Sequence, residues 1–206
     1  MALFGKPLSI ADFPVRHDLK GVGLTDDWRY ADRLPAKLSY TNTYYDREPW
    51  LDIMEPGDEL IGALDFLISS DVFEHVNPPV ERAFDNVYRM LKPGGCFILT
   101  VPYKPMGETE EHFPNLNEYE IVDFGDTPVL LNRTVDGRWE VFDDIRFHGG
   151  IGATLEMRAF SRPSLLEVLH ETGFGEVIEF TEGDPAFGLD WSEAHGFPIV
   201  ARRPGP

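Results

Sequence analysis

The segment from Leu64 to Pro102, LDFLISSDVFEHVNPPVERAFDNVYRMLKPGGCFILTVP, constrains this chain more than any other. Leu64 to Ser70 is an apolar run closed by two serines and Asp71, the pattern of a strand buried on both faces. Asn77 is a candidate helix cap, with Pro78 and Pro79 in a first turn where a missing N–H costs little. Val80, Ala83, Phe84, Val87 and Leu91 fall on one helical stripe. Arg89 and Lys92 suit the negative end of that helix, and Pro93-Gly94-Gly95 stops it. A second apolar run, Cys96 to Val101, completes a strand–helix–strand crossover with a parallel strand pair.

The same residues resemble a family. Asp65-Phe66 entering the strand, Ser69-Ser70-Asp71-Val72-Phe73-Glu74-His75-Val76 leaving it, and Arg89-Met90-Leu91-Lys92-Pro93-Gly94-Gly95 before the next strand are similar to class I S-adenosylmethionine-dependent methyltransferases. The likeness is to the fourth strand, the following helix and the fifth strand of the small-molecule, type 11-like branch. It implies an α/β fold with a Rossmann-like, doubly wound, mostly parallel sheet, S-adenosylmethionine as cofactor, and methyl transfer to a small or sugar-like acceptor.

A chain of 206 residues suits a single domain with a sizeable core. No apolar run approaches the ~20 residues of a membrane span, and the N-terminus lacks the apolar segment of a secretory signal. The lone Cys96, inside an apolar strand, reads as a small buried hydrophobe; without a second cysteine there is no intrachain disulfide, which fits the cytoplasm. A formal net charge of -18 disfavours nucleic acid and anionic lipid as partners, though it equally serves solubility.

Residues 1–18 read as an irregular lead-in. Leu19 to Leu24 is a short strand, and Thr25 is a candidate cap for a short helix in which Trp28, Ala31 and Leu34 face the sheet. In the family, glycines at this turn let backbone N–H groups approach the cofactor. Here Gly21 and Gly23 remain, with Thr25 and Asp27 where further glycines are usual, so the loop is degenerate. The two glycines are candidates for cofactor binding or for strand-end packing. Tyr40 to Tyr45 suits the second strand. Asn42 stands where an acid usually meets the ribose hydroxyls, or simply ends the strand; Asp46 is an alternative acid. Leu51-Asp52-Ile53 resembles the third strand, with Asp52 either near adenine or an ordinary loop carboxylate. Ser70, Asp71 and Val72 lie at a strand end where ligands of open α/β sheets bind. His75 is a candidate base or a capping and packing residue. The histidines at 17, 75, 112, 148, 170 and 195 lack ligand spacing, so no metal is expected.

Residues 104–158 form an excursion after the fifth strand, too long for a bare loop. Val129 to Val135 and Arg138 to Phe142, joined by Asp136-Gly137, predict a β-hairpin, and Tyr119 to Phe124 a third strand. The fold implied by the resemblance lays this small sheet over the cofactor cleft. His112, beside Glu111, and His148, in Phe147-His148-Gly149-Gly150-Ile151-Gly152, are the candidate catalytic residues: either suits removal of a proton from an acceptor hydroxyl, or only a hydrogen bond to its own loop. Ser161 caps a last helix ended by Gly173, with strands at Val177 to Phe180 and Pro198 to Arg202; the loop with Trp191 and His195 could edge a substrate pocket. Glu-His-Phe-Pro, and Phe-His-Gly-Gly with the following Thr-Leu-Glu-Met-Arg, are similar to a bacterial methyltransferase subgroup associated with surface glycans, which makes a glycan precursor a candidate acceptor. The degenerate glycine turn keeps a second expectation open, a binding or scaffold module without catalysis. A different nucleotide-binding α/β protein is a third, and it lacks a phosphate loop.

Overall fold

The computed structural model describes residues 2–125, 127–148, 154–190 and 196–206. The chain first builds β1 (Arg16–Leu24), α1 (Trp28–Ala31), β2 (Leu38–Thr43), β3 (Leu64–Ser70), α2 (Glu81–Met90) and β4 (Leu91–Thr100). An excursion holds β5 (Glu118–Phe124), β6 (Thr127–Arg133) and β7 (Trp139–Phe142). The chain returns through β8 (Arg158–Ser161), α3 (Arg162–Glu171), β9 (Glu176–Glu179) and β10 (Ile199–Arg202).

The main sheet has the order β9-β10-β4-β3-β1-β2. β1 is parallel to β2 and β3, and β3 to β4, whereas β10 runs antiparallel to both of its neighbours. The central strands are buried on both faces, as their continuous apolar runs require. Leu67, Phe97 and Leu99 pack with α2 and α3, and Phe66 and Cys96 face the other side. Burial holds the Cys96 thiol up at about 11, so it is no nucleophile.

Helix α2 buries Ala83, Phe84 and Val87 as its stripe predicts, but both of its ends differ from expectation. Val80, not Asn77, occupies the N-cap position, and no side chain caps it. Leu91 is buried yet is already the first residue of β4. Pro93 pushes Lys92 away from helical geometry, and Gly94 turns with φ +81°.

The lead-in has a structural task. Leu3, Phe4, Ile10 and Phe13 pack on the sheet face that holds Leu38, Tyr40 and Phe66. They cover the surface that a four-residue α1 is too short to shield. Strand β1 begins at Arg16, ahead of the expected Leu19. Thr25 does not cap α1: Asp27 does, accepting from the Arg29 N–H, and Trp28 points outward at 70% exposure. The expected third strand, Leu51-Asp52-Ile53, does not form; an isolated bridge pairs Tyr44 with Trp50 just before it. Leu51 and Ile53 are buried, but the Ile53 and Met54 carbonyls accept from Asn86 Nδ2 of α2, at 2.9 and 3.0 Å. A buried helix amide thus takes carbonyls that a further strand would have used, and β2 becomes the sheet edge.

In the excursion, β5, β6 and β7 form an antiparallel sheet, turned at Gly137 with φ +83°. It has its own small core of Phe113, Leu130, Leu155 and Met157. Strand β8 pairs in parallel with Tyr103–Lys104 and antiparallel with Glu110–Glu111, joining the excursion to the end of β4. Among the described residues no helix is long and apolar enough to cross a membrane.

At Gly21 an added Cβ would lie 2.2 Å from the Phe66 ring. Gly21→Ala is therefore expected to lower unfolding stability in urea by about 1–3 kcal/mol, with the added substitution Phe66→Leu recovering part of the loss.

Candidate functional site

Strand order reverses between β1 and β3, because β1 leads to β2 on one side and β3 to β4 on the other. The crevice outside their carboxyl ends is where open α/β sheets take ligands. The two non-glycine residues with positive φ among the described residues lie here: Thr25 after β1, at φ 55°, and Asp71 after β3, at φ 53°. Such conformations cost on the order of 1–3 kcal/mol each and persist only where the surroundings fix them. The Thr25 N–H donates to the Thr43 carbonyl at 2.7 Å, and the Asp71 N–H to the Thr100 carbonyl at 2.8 Å. Thr25 thus holds a turn that glycine adopts more easily.

The glycines themselves do not open onto this crevice. Gly21 lies against Phe66, and the space beside Gly23 is taken by the Asp26 carboxylate and the Tyr40 hydroxyl, each 2.1 Å from an added Cβ. Tyr40 donates to Asp26 Oδ2 at 2.7 Å, and Asp26 Oδ1 is buried without a hydrogen bond. Burial pushes this carboxyl up to about 6, against the pull of the tyrosine. Asn42 clamps the same loop: its Oδ1 accepts from the Asp26 N–H and its Nδ2 donates to the Asp26 carbonyl, both at 2.9 Å. Asp27 is a surface cap paired with Arg29, which holds its carboxyl near 2. Asp46 is exposed. Asp52 is half-buried and accepts from the Met54 N–H at 2.8 Å. Ser70 shares a 2.8 Å hydrogen bond with Thr100 Oγ1, while Val72 packs on the main core.

A cleft of 230 Å³ lies beyond the ends of β3 and β4, lined by Glu74, Pro102, Tyr103, His148, Glu156 and Arg158 among others. Arg158 has no exposed side-chain surface. Its Nε donates to Glu111 at 2.5 Å and its Nη1 to the Phe73 carbonyl at 2.6 Å. The Met157 N–H donates to the Glu74 carbonyl at 2.8 Å. Residues 73–75 are thereby bound to the far end of the excursion.

This places Glu74 beside His148, which lines the cleft, and beside His75. Glu74 is 2% exposed, neither carboxylate oxygen has a hydrogen-bond partner, and burial pushes the group up to about 7. His148 Nε2 lies 2.6 Å from Glu156 Oε2, and its Nδ1 lies 3.8 Å from Glu74. His75 Nδ1 lies 2.8 Å from the Leu155 carbonyl, and its Nε2 is 3.8 Å from Glu74. Burial lowers the His75 pKa. The two rings meet edge to face at 4.7 Å. His112 is set back: Nδ1 lies 3.1 Å from the Glu156 carbonyl, and Nε2 is buried without a hydrogen bond. Of the two histidines expected to be catalytic, His112 and His148, only His148 lines the cleft, and the other candidate base, His75, meets the His148 ring edge to face. The glycine run 149–152, Trp191 and His195 lie outside the described residues.

Glu74, His75 and His148 offer ligand atoms within 4.8 Å of one another, which amends the expectation of dispersed histidines. Spacing gave no sign of this, because the excursion separates His148 from Glu74 along the chain and folds it back. Asp26 and Tyr40 were also missed, and Glu156 and Arg158 stood only inside the Thr-Leu-Glu-Met-Arg resemblance, with no role given to either. Arg158 had a further signal: a cation between Met157 and Ala159-Phe160.

Residues 58–99 match the model of a methyltransferase domain. No curated protein matches the sequence. Solved structures similar in fold include the following three. An S-adenosylmethionine-dependent methyltransferase from Clostridium acetobutylicum is 12% identical at a TM-score of 0.51, with 91% of this chain and 84% of that one covered. CalS10, an amino pentose methyltransferase from Micromonospora echinaspora solved with SAM bound, is 13% identical at 0.51, with 90% and 83% covered. The CurJ carbon methyltransferase is 15% identical at 0.52, with 95% and 51% covered, so this chain spans about half its length. These likenesses fix the fold.

Asp26 supplies a pH test. Its folded-state pKa, about 6, lies above the ordinary 3.8, so the folded chain binds the proton more tightly. The stability that this group contributes when protonated is lost as pH rises from about 4 to about 6, by roughly 2–3 kcal/mol. Urea unfolding of Asp26→Asn is expected to show a stability gain over wild type that grows between those pH values; a constant difference would contradict the assignment.

Proposed function

We propose that this chain, whose fold is that of the class I S-adenosylmethionine-dependent methyltransferases, transfers a methyl group to a small hydroxyl-bearing acceptor held in the cleft beside the β3 and β4 ends. The observation that carries this reading is the meeting of crevice and cleft at Asp71. Asp71 follows β3 at the crevice mouth, and Glu74, in the same turn, lines the cleft. A ligand at the strand ends and an acceptor in the cleft would therefore be neighbours.

The cofactor supplies an electrophilic methyl on a sulfonium. The residues at the crevice mouth suit such a ligand better than the glycines do: Thr25, Ser70, Asp71 and Val72 would hold it, with Asp52 toward the sheet edge. Gly21 and Gly23 act through packing, and Asn42 acts by fixing the loop rather than by reaching ribose. In the cleft, orientation supplies most of the rate, since in-line attack needs the acceptor oxygen aligned and stripped of water. The acceptor proton would pass to the His148 side of the cleft, where Glu156 stabilises the imidazolium that forms. His112 would position Glu156 from behind.

A sugar-like acceptor, such as a glycan precursor, is consistent with carboxylates and a lysine around the cleft that can bind hydroxyls, and CalS10 acts on an amino pentose. Nucleic acid fits poorly against a net charge of -18. A reducing cytoplasm suits the free, buried Cys96.

A second reading, a binding module without catalysis, draws on Asp26 and Tyr40 filling the space beside Gly23. Calorimetry with S-adenosylhomocysteine separates the two. The methyltransferase reading expects binding by the wild-type chain, and turnover of a hydroxylated acceptor that falls about 10²–10⁴-fold in His148→Ala with cofactor affinity kept. No wild-type binding at millimolar ligand, together with binding restored by Asp26→Gly, would favour the module.

A further inference from the structure

We propose that Glu74, His75 and His148 form a binding site for a divalent first-row transition ion, zinc in particular, opening onto the cleft. The argument rests on where lone pairs point. Each histidine has an acceptor on its far nitrogen: the Leu155 carbonyl 2.8 Å from His75 Nδ1, and Glu156 Oε2 2.6 Å from His148 Nε2. These acceptors hold the ring protons on the far side. The near nitrogens, His75 Nε2 and His148 Nδ1, then carry lone pairs, and both face Glu74 Oε1 at 3.8 Å, too far for a hydrogen bond.

Glu74 presents the complementary half. It is 2% exposed and turns Oε1 to this point, and neither of its oxygens has a hydrogen-bond partner. A buried carboxylate without a donor is expensive, and two deprotonated imidazole nitrogens facing it offer nothing in return. A cation between them satisfies all three at once. The carbonyl and carboxylate behind the rings are the supports that orient histidine ligands in metal sites.

The donor set selects the ion. Two imidazoles and one carboxylate suit zinc and its neighbours, whereas magnesium and calcium prefer oxygen alone. Three protein ligands leave a position for water or an acceptor oxygen, and His148 and Glu74 also line the 230 Å³ cleft. The surrounding charge is favourable. Asp71 and Glu156 add negative field at Glu74; the opposing cation, Arg158, is turned to Glu111 and the Phe73 carbonyl. Two ligands come from the turn after β3 and the third from the excursion, so the ion would pin one to the other. An ion in this position would hold the His148 lone pair and itself acidify a bound hydroxyl, but its binding does not depend on methyl transfer.

Chelator-treated full chain titrated with Co²⁺, followed by visible absorption, and with Zn²⁺, followed by calorimetry, tests the site. One ion per chain is expected, with a rise in melting temperature and no displacement by millimolar Mg²⁺. His148→Ala and Glu74→Gln are each expected to weaken binding by at least about tenfold, and Glu156→Gln by a similar factor through loss of ring orientation. The His148 side chain is 40% exposed, so its truncation spares the core even if Glu74→Gln fails to fold. Absence of Zn²⁺ binding at ~100 µM, or binding that His148→Ala leaves unchanged, overturns the assignment. Either result leaves S-adenosylhomocysteine binding, measured separately, untouched.

Discussion

A guanidinium with no exposed surface joins the excursion to the central sheet. Arg158 reaches Glu111 on a neighbouring strand and the Phe73 carbonyl in the turn after β3, so three separate stretches of chain share one set of donors. A charge so buried is tolerable only when its donors are met, and losing one partner of such a pair typically costs about 3–5 kcal/mol. The geometry follows from this. With residues 73–75 held from above, Glu74 and His75 cannot swing to solvent, and the returning chain delivers His148 and Glu156 opposite them.

The other side of the site is organised by strain rather than by charge. Thr25 and Asp71 both occupy left-handed backbone, and both are held by hydrogen bonds to neighbouring strands. Asn42 locks the intervening loop by a reciprocal pair of bonds to Asp26. A glycine-poor turn thus keeps the path of a glycine-rich one, because β2 and β4 supply the restraint. The cost is a buried Asp26 carboxyl in the space that the missing Gly23 side chain leaves.

The legible parts of the fold are those in which one local rule governs. The stripe of Val80, Ala83, Phe84 and Val87 has no good alternative to a helix against the sheet, and Asp136-Gly137 has no good alternative to a tight turn. Boundaries were less legible. Leu91 fits the helical period yet begins a strand, since Pro93 acts on the residue before it. Leu51-Asp52-Ile53 has strand composition, but a single amide from Asn86 draws its carbonyls to α2. Trp28 fits the stripe of a longer helix than the four residues that form.

The sequence alone determined the β3–α2–β4 crossover, the inserted hairpin, the net acidity and the nomination of His148, from local patterns and from overall composition. It did not determine what His148 faces, why Gly21 and Gly23 are small, or which carboxylate is left without a donor. Only the tertiary structure decided those matters. The partners are brought together by strand pairing and by one buried arginine, and contacts of that span leave no periodic trace in the chain.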